Sequence, residues 1–159
     1  MDHGTVRRAH ADDAAEVLRL RQMMLESMGR GPTAADWQNA SLPELRKRLA
    51  DQDGDFAVFV AEHPSLAGRL GTMAAGTVDY RIGNPVSPLG NRGHVFGVVT
   101  APDARRAGGA RACTEALLDW FRERGVRQVD LGASAEAEPL YTSLGFTRRP
   151  DPAMRLDLF

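Results

Sequence analysis

The sequence predicts a fold of the α+β class, a central sheet with helices packed on it, in a single domain over residues 1–159. Three observations predict it. Short apolar runs of strand type alternate with longer amphipathic helical patterns, which interleaves strands and helices in one unit. At 159 residues the chain is long enough to bury most of the surface it exposes when unfolded, so it needs no covalent staple. Finally, an apolar strand ending at Val98-Val99-Thr100 runs into a basic, glycine-containing turn that opens a helix, in the stretch VVTAPDARRAGGAR.

The elements follow in order. Thr5 to Ala9 reads as a short strand. Asp13 is placed to cap a helix, with Glu16 at the third helical position as in a capping box. Val17, Leu20, Met24, Leu25 and Met28 then recur at helical spacing until Gly29 ends the segment. Met23, Met24 and Met28, with Trp37, Phe96 and the 81–92 loop, suit either an ordinary core or a partly apolar pocket for a small acceptor. A GRGPT turn leads to a second helical region from about Ala34 to Leu49, interrupted or restarted near Ser41-Leu42-Pro43-Glu44. Phe56 to Ala61 and Leu70 to Tyr80 read as adjacent strands joined by a turn at Pro64 to Gly68.

Arg81 to Arg92 carries two prolines, two glycines and two asparagines and must be a loop. Its length makes it a candidate substrate-side loop, the alternative being a plain exposed connection. His94 to Thr100 is a mostly apolar strand, and Pro102, with no N–H to donate, ends its pairing. From Gly109 a helix places Ala110, Cys113, Leu117, Trp120 and Phe121 on one side and Glu115, Asp119, Arg122 and Glu123 on the other, until Gly125 terminates it. Val126 to Ala133 reads as a strand, Ala135 to Leu144 as a short helix, and Ala153 to Leu158 as a last strand.

Composition narrows the function. The net charge of −1 offers no basic field for nucleic acid, so the arginines are read locally. The one cysteine, Cys113, excludes an intrachain disulfide and sits where a helix packs. Four scattered histidines lack ligand spacing, so no metal is expected. No apolar run approaches ~18 residues and the N-terminus lacks a signal-peptide core, so a cytoplasmic protein with no membrane partner is expected. Lys47 is the only lysine among 20 basic residues, a codon bias of GC-rich genomes that fits a bacterial source.

The basic turn is where chemistry concentrates. A helix N-terminus leaves its first N–H groups unpaired and carries about half a positive charge, so a phosphate there meets oriented donors. Gly108 and Gly109 let a ligand approach the backbone, and Arg105, Arg106 and Arg111 add forked donors suited to phosphate oxygens. The plainer reading of the same residues is a solvated, arginine-rich loop before a surface helix.

Two motifs decide between them. Arg105-Arg106-Ala107-Gly108-Gly109-Ala110 resembles the R/Q-x-x-G-x-G/A signature of the GNAT acetyltransferase superfamily, preceded by the usual strand and proline, VVTAP. Downstream, Ala137-Glu138-Pro139-Leu140-Tyr141-Thr142-Ser143-Leu144-Gly145-Phe146 is similar to the family's A-x-x-L-Y-x-x-x-G-F segment. The two occur in the family's order, separated by a predicted helix and strand.

The resemblance implies a mixed, strongly twisted central sheet of six to seven strands flanked by about four helices, with two central strands splayed to hold acyl-CoA. Acetyl-CoA is the implied donor. Backbone groups of Val98, Val99 and Thr100 would pair with the pantetheine amides, and those of Arg106, Ala107, Gly108, Gly109, Ala110 and Arg111 would hold the pyrophosphate. Ser134 would offer its side chain to the pantetheine, and an arginine near the turn, Arg105 among them, would meet the 3′-phosphate. Two departures stand out. Gly109 replaces a bulky aliphatic residue, which should loosen the helix start by up to ~1 kcal/mol relative to Ala. Gly97 stands where a polar residue is expected, which would remove a substrate contact.

By the same analogy an amine attacks the thioester carbonyl, the Val98 backbone N–H steadies the carbonyl oxygen, and Tyr141 protonates the departing sulfur. Tyr141 also reads as an aromatic packed under the sheet. Candidate bases for an ammonium of pKa near 10 are Glu26, Asp79 and His94, the last with an ordinary value of ~6.5, and water is the alternative to all of them. The expected function is N-acetylation of a small-molecule or protein amine, in a homodimer such as family members often form. A non-catalytic acyl-CoA-binding module is the competing reading. A nucleotide-binding regulatory domain would need G-x-x-x-x-G-K-[ST] or G-x-G-x-x-G, and the chain has neither.

Overall fold

The computed structural model describes residues 4–29 and 36–159. Five strands form one sheet in the order β1 (Val6–Arg8), β2 (Phe56–Glu62), β3 (Leu70–Tyr80), β4 (Asn91–Thr100), β5 (Val129–Leu131). The first four pair antiparallel and β5 joins β4 in parallel, so the sheet is mixed. Parallel neighbours need a crossover, and the connection from β4 to β5 carries helix α3 (Gly109–Glu123). The other helices are α1 (Ala14–Ser27), α2 (Asp36–Ala50) and α4 (Glu138–Ser143).

Strand alternation sends side chains to two cores. On one face Val17 and Leu20 of α1 and Leu49 of α2 pack on Val58, Val60, Met73, Ala75 and Val99. On the other, Cys113, Leu117, Trp120 and Phe121 of α3 pack on Ala57, Ala61, Ala74, Val78 and Val95. Cys113 is a core thiol, and burial pushes its pKa up to about 12.

Several expectations are corrected. The predicted Asp13–Glu16 capping box does not form. The Asp13 carboxylate instead accepts bonds from both guanidinium nitrogens of Arg7, at 2.7 and 2.8 Å, and from the His10 N–H at 2.8 Å, closing a short 3-10 turn before α1. Glu16 turns to the β2–β3 connection. The second helix runs unbroken through Pro43, because Leu42, Leu45 and Leu49 keep one face packed on the core. Its predicted start at Ala34 and most of the GRGPT turn lie outside the described residues.

β4 begins at Asn91, three residues earlier than the sequence suggests. The preceding loop is closed by its own bonds, Arg81 N–H to Gly90 O at 2.7 Å and Ser87 hydroxyl to Asn91 O at 3.0 Å. Asn91 donates to Arg124 O beyond the C-terminus of α3 at 3.3 Å, so this loop sits at the end of α3 opposite the glycine-rich turn. β5 and α4 are shorter than predicted, and Ala153 to Leu158 forms no strand, which leaves five strands rather than six to seven. Those residues are exposed and no strand pairs with them.

Candidate active site

The site begins with an irregularity in β4. Val99 pairs with Met73 and Phe96 with Ala75, so Gly97 and Val98 together oppose the single residue Ala74. This is a β-bulge, and Gly97 occupies it at φ +65°, in the left-handed region that glycine enters without a Cβ penalty. The bulge resets the alternation. Phe96 and Val99 both face the α1 core, whereas Val95 and Val98 both face α3. Glycine at position 97 thus has a backbone cause.

β5 pairs with β4 only between Val129–Leu131 and Gly93–Val95. Beyond that point the strands part, and β4 from Phe96 to Thr100 has no strand neighbour on this side. Between that open stretch and α4 lies a cavity of about 410 Å³. Val98, Thr100, Arg105, Arg106, Gly108, Gly109, Ala110, Arg111, Ser134 and Tyr141 all line it. Val99 turns its side chain into the α1 core and offers only backbone, and Ala107 is half-buried in the turn.

The turn itself is a cradle. Arg105 is extended, Arg106 is left-handed at φ +65°, and Gly108 is left-handed at φ +83° as the N-cap of α3. Left-handed residues interspersed in a turn direct successive N–H groups into one concavity, which suits an anion. The first intrahelical bond runs from Ala112 N–H to Gly108 O at 3.1 Å, so the N–H groups of Gly109, Ala110 and Arg111 precede the helix ladder. Gly109 answers to a different constraint. A Cβ there would stand 2.5 Å from Oγ1 of Thr72 on β3, so the missing side chain lets the helix start sit down on the sheet.

Sequence reasoning missed the polar brace beneath this cradle. Glu16 accepts from Arg19 at 2.7 Å, from Arg69 at 3.0 Å and from the Leu70 N–H at 2.9 Å. Burial pushes its carboxyl up, but these donors outweigh burial and hold its pKa at about 2. Buried His63 accepts the N–H groups of Ser65 and Leu66 on Nδ1, at 3.0 and 3.1 Å, which leaves the proton on Nε2. That nitrogen lies 2.9 Å from the Asp103 carboxylate, close but not aligned as a hydrogen bond. No spacing rule connects residues 16, 63, 69 and 103, and only the folded chain brings them together.

The remaining candidates are dispersed. Tyr141 is buried on α4, edge-on to Phe146 with ring centroids 5.9 Å apart, and burial raises its pKa. His94 is exposed on β4, four residues before Val98, and stacks on Phe96 at 6.0 Å. Glu26, on the exposed side of α1, accepts from Gln22 at 2.9 Å, and Asp79 accepts from Thr77 at 3.2 Å. Among the described residues, no cluster of His, Cys, Asp or Glu could hold a metal ion, and no helix is long and apolar enough to cross a membrane.

Comparison with known proteins agrees with this geometry. The sequence matches the Acetyltransferase (GNAT) family over residues 18–146. The chain belongs to that family. No curated protein matches it. Among solved structures, this GNAT chain is similar to a predicted acetyltransferase from Clostridium acetobutylicum crystallised with acetyl-CoA, at 21% identity and a TM-score of 0.81 over 97% of this chain and 96% of that one. A Trypanosoma brucei acetyltransferase is 26% identical, with a TM-score of 0.71 over 97% and 99% of the two chains. An aminoglycoside N-acetyltransferase in complex with CoA is 20% identical, with a TM-score of 0.73 over 100% and 97%. The mixed five-stranded sheet with four helices is therefore the GNAT fold, and the bulged, half-open β4 and its basic turn lie inside the matched span.

Proposed function

We propose that this GNAT protein is an acetyl-CoA-dependent N-acetyltransferase that moves the acetyl group to a primary amine of a small molecule or protein by direct attack on the thioester. The observation that carries the proposal is the bulge at Gly97–Val98, which lies on the stretch of β4 that β5 leaves open, beside the arginine-rich start of α3. An extended amide chain fits that stretch by pairing with the backbone of Val98 to Thr100, and its pyrophosphate fits the N–H groups of residues 106–111. The Ser134 hydroxyl accepts the Ala137 N–H at 3.2 Å and keeps its own proton to donate. Arg111 is engaged by Glu115 and Ser143, whereas Arg105 and Arg106 make no ion pair among the described residues and are the guanidinium groups for the 3′-phosphate.

In the reaction the amine nitrogen bonds to the acetyl carbon, the C–S bond breaks, and the sulfur takes a proton. Val98 N–H steadies the charge that develops on the carbonyl oxygen. Tyr141 gives its proton to the sulfur. Burial holds its phenol protonated while the acceptor amine is already losing its own proton. The amine proton leaves through water, with the His94 imidazole as its acceptor and the carboxylates of Glu26 and Asp79 as the alternatives.

The test is Tyr141→Phe, assayed for acetyl transfer to a panel of amines and for acetyl-CoA binding by calorimetry. Turnover should fall by about 10²–10⁴-fold with binding retained, the usual loss for a missing general acid. A parent protein that binds acetyl-CoA yet transfers to no amine would instead identify a non-catalytic acyl-CoA-binding module.

A further inference from the structure

We infer that Arg21 holds a carboxylate of the acceptor, so that the amine this protein acetylates belongs to an amino acid or a close analogue carrying an acid group. The inference rests on the reading of the chain as an N-acetyltransferase and gives that reading its acceptor class. It starts from the side of the bulge that looks away from the donor cavity. Val98 packs toward α3 and lines that cavity, whereas the bare position of Gly97 opens toward α1. A Cβ on Gly97 would stand 3.6 Å from Nη1 of Arg21, 3.7 Å from the Met73 methyl and 3.8 Å from Ala75. The polar group beside the bulge on this face therefore comes from α1 and not from β4.

The surroundings of Arg21 suit an anion. It is half-buried, with Met24 Sδ at 3.9 Å from Nη1, and Met24, Met73 and Phe96 pack into the same apolar core. A guanidinium among apolar groups is weakly screened, and a carboxylate matches its planar fork with two parallel hydrogen bonds. Five N–H donors let Arg21 take a ligand oxygen in addition to its contacts within the protein.

The geometry also limits how the acceptor is built. Pairing with β5 ends at Val95, so among the described residues no strand separates the two faces of the sheet beside Phe96 to Thr100. An amine can thus approach the thioester from the α1 face while the coenzyme lies toward α3. In an α-amino acid a single carbon joins the amine to the carboxyl group. With the carboxylate on Arg21, the amine stays beside Gly97 and Val98, where the Val98 N–H is placed to steady the carbonyl oxygen. The charge of Arg21 also favours the neutral, reactive form of a nearby amine, because it opposes a second cation. For the same reason it works against polyamines, and a protein N-terminus has no carboxyl group at that distance to offer.

The test is acetyl transfer to a panel of free amino acids, their amides and putrescine, with rates corrected for the fraction of neutral amine. The parent, Arg21→Gln and Arg21→Lys are compared, and the acetyl-CoA affinity of each is measured by calorimetry. The parent should favour the acids over their amides by about 10–100-fold in kcat/KM, the loss expected when a hydrogen bond to a charged group is removed. Arg21→Gln should bring that ratio near one, mainly by raising KM for the acids. Arg21→Lys should keep part of the ratio, and acetyl-CoA affinity should hold in both variants. A parent that prefers amides or putrescine, a ratio that survives in Arg21→Gln, or a loss of acetyl-CoA affinity in Arg21→Gln overturns the assignment. If no amine is acetylated, the proposed reaction fails, and titration of the same acids into the CoA-bound protein decides the site separately. Binding that is lost on amidation and in Arg21→Gln upholds it, and an absence of binding overturns it.

Discussion

Gly97 and Gly109 show one residue type serving two physical ends. At 97 the backbone is left-handed, and the nearest atoms to an added Cβ are 3.6 Å away or more, so there is room for a side chain but strain in the chain. Gly97→Ala should therefore cost about 1–2 kcal/mol. Gly97→Asn should cost less, because asparagine tolerates that region; urea titration of the two variants checks the order, and equal losses would refute the backbone cause. At 109, the first position of α3, helix propensity alone would favour alanine by up to about 1 kcal/mol. The 2.5 Å approach to Thr72 Oγ1 reverses that sign, since overpacking costs about 1–3 kcal/mol. Gly109→Ala should be destabilised and weakened in acetyl-CoA binding, and Thr72→Ala added to it should restore much of both. If Gly109→Ala alone proved stabilising, the close-packing account would be wrong.

Elements meet through Glu16, which joins α1 to the start of β3 by bonds to Arg19, Arg69 and the Leu70 N–H. Its folded pKa of about 2 lies below the ordinary 4.5, so its contribution is complete above about pH 4.5 and is lost as pH falls toward 2. Glu16→Gln should lose about 1–3 kcal/mol at neutral pH, where the carboxylate and its charged partners are all in place. The gap between parent and variant should narrow between pH 5 and 2. Denaturation at several pH values checks this, and a gap independent of pH would mean that shape rather than charge holds the joint. The same level of organisation explains α2. Pro43 argues for a break when read alone, but a packed apolar face carries the helix across it.

At the scale of the molecule, donor binding is linked to folding. A ligand that binds only the folded chain stabilises it by about 2.7 kcal/mol at a hundredfold excess over its Kd, so acetyl-CoA should raise the melting temperature in step with its concentration. A melting temperature indifferent to acetyl-CoA would contradict the assignment of the cavity beside β4. The order of elements and the cradle were legible in the sequence because each depends on local rules: periodicity of two or 3.6, glycine and proline at turns, and an arginine-rich helix start. The parting of β4 from β5 was expected only through the family resemblance, whereas the bulge at Gly97–Val98, the clash that demands glycine at 109 and the brace of Glu16, His63 and Asp103 were not legible. Each is a relation between residues distant in the chain, set by which strands pair and where they stop. The strand predicted at Ala153 to Leu158 marks the boundary: alternation alone specifies a strand, but a strand exists only where a neighbouring edge receives it.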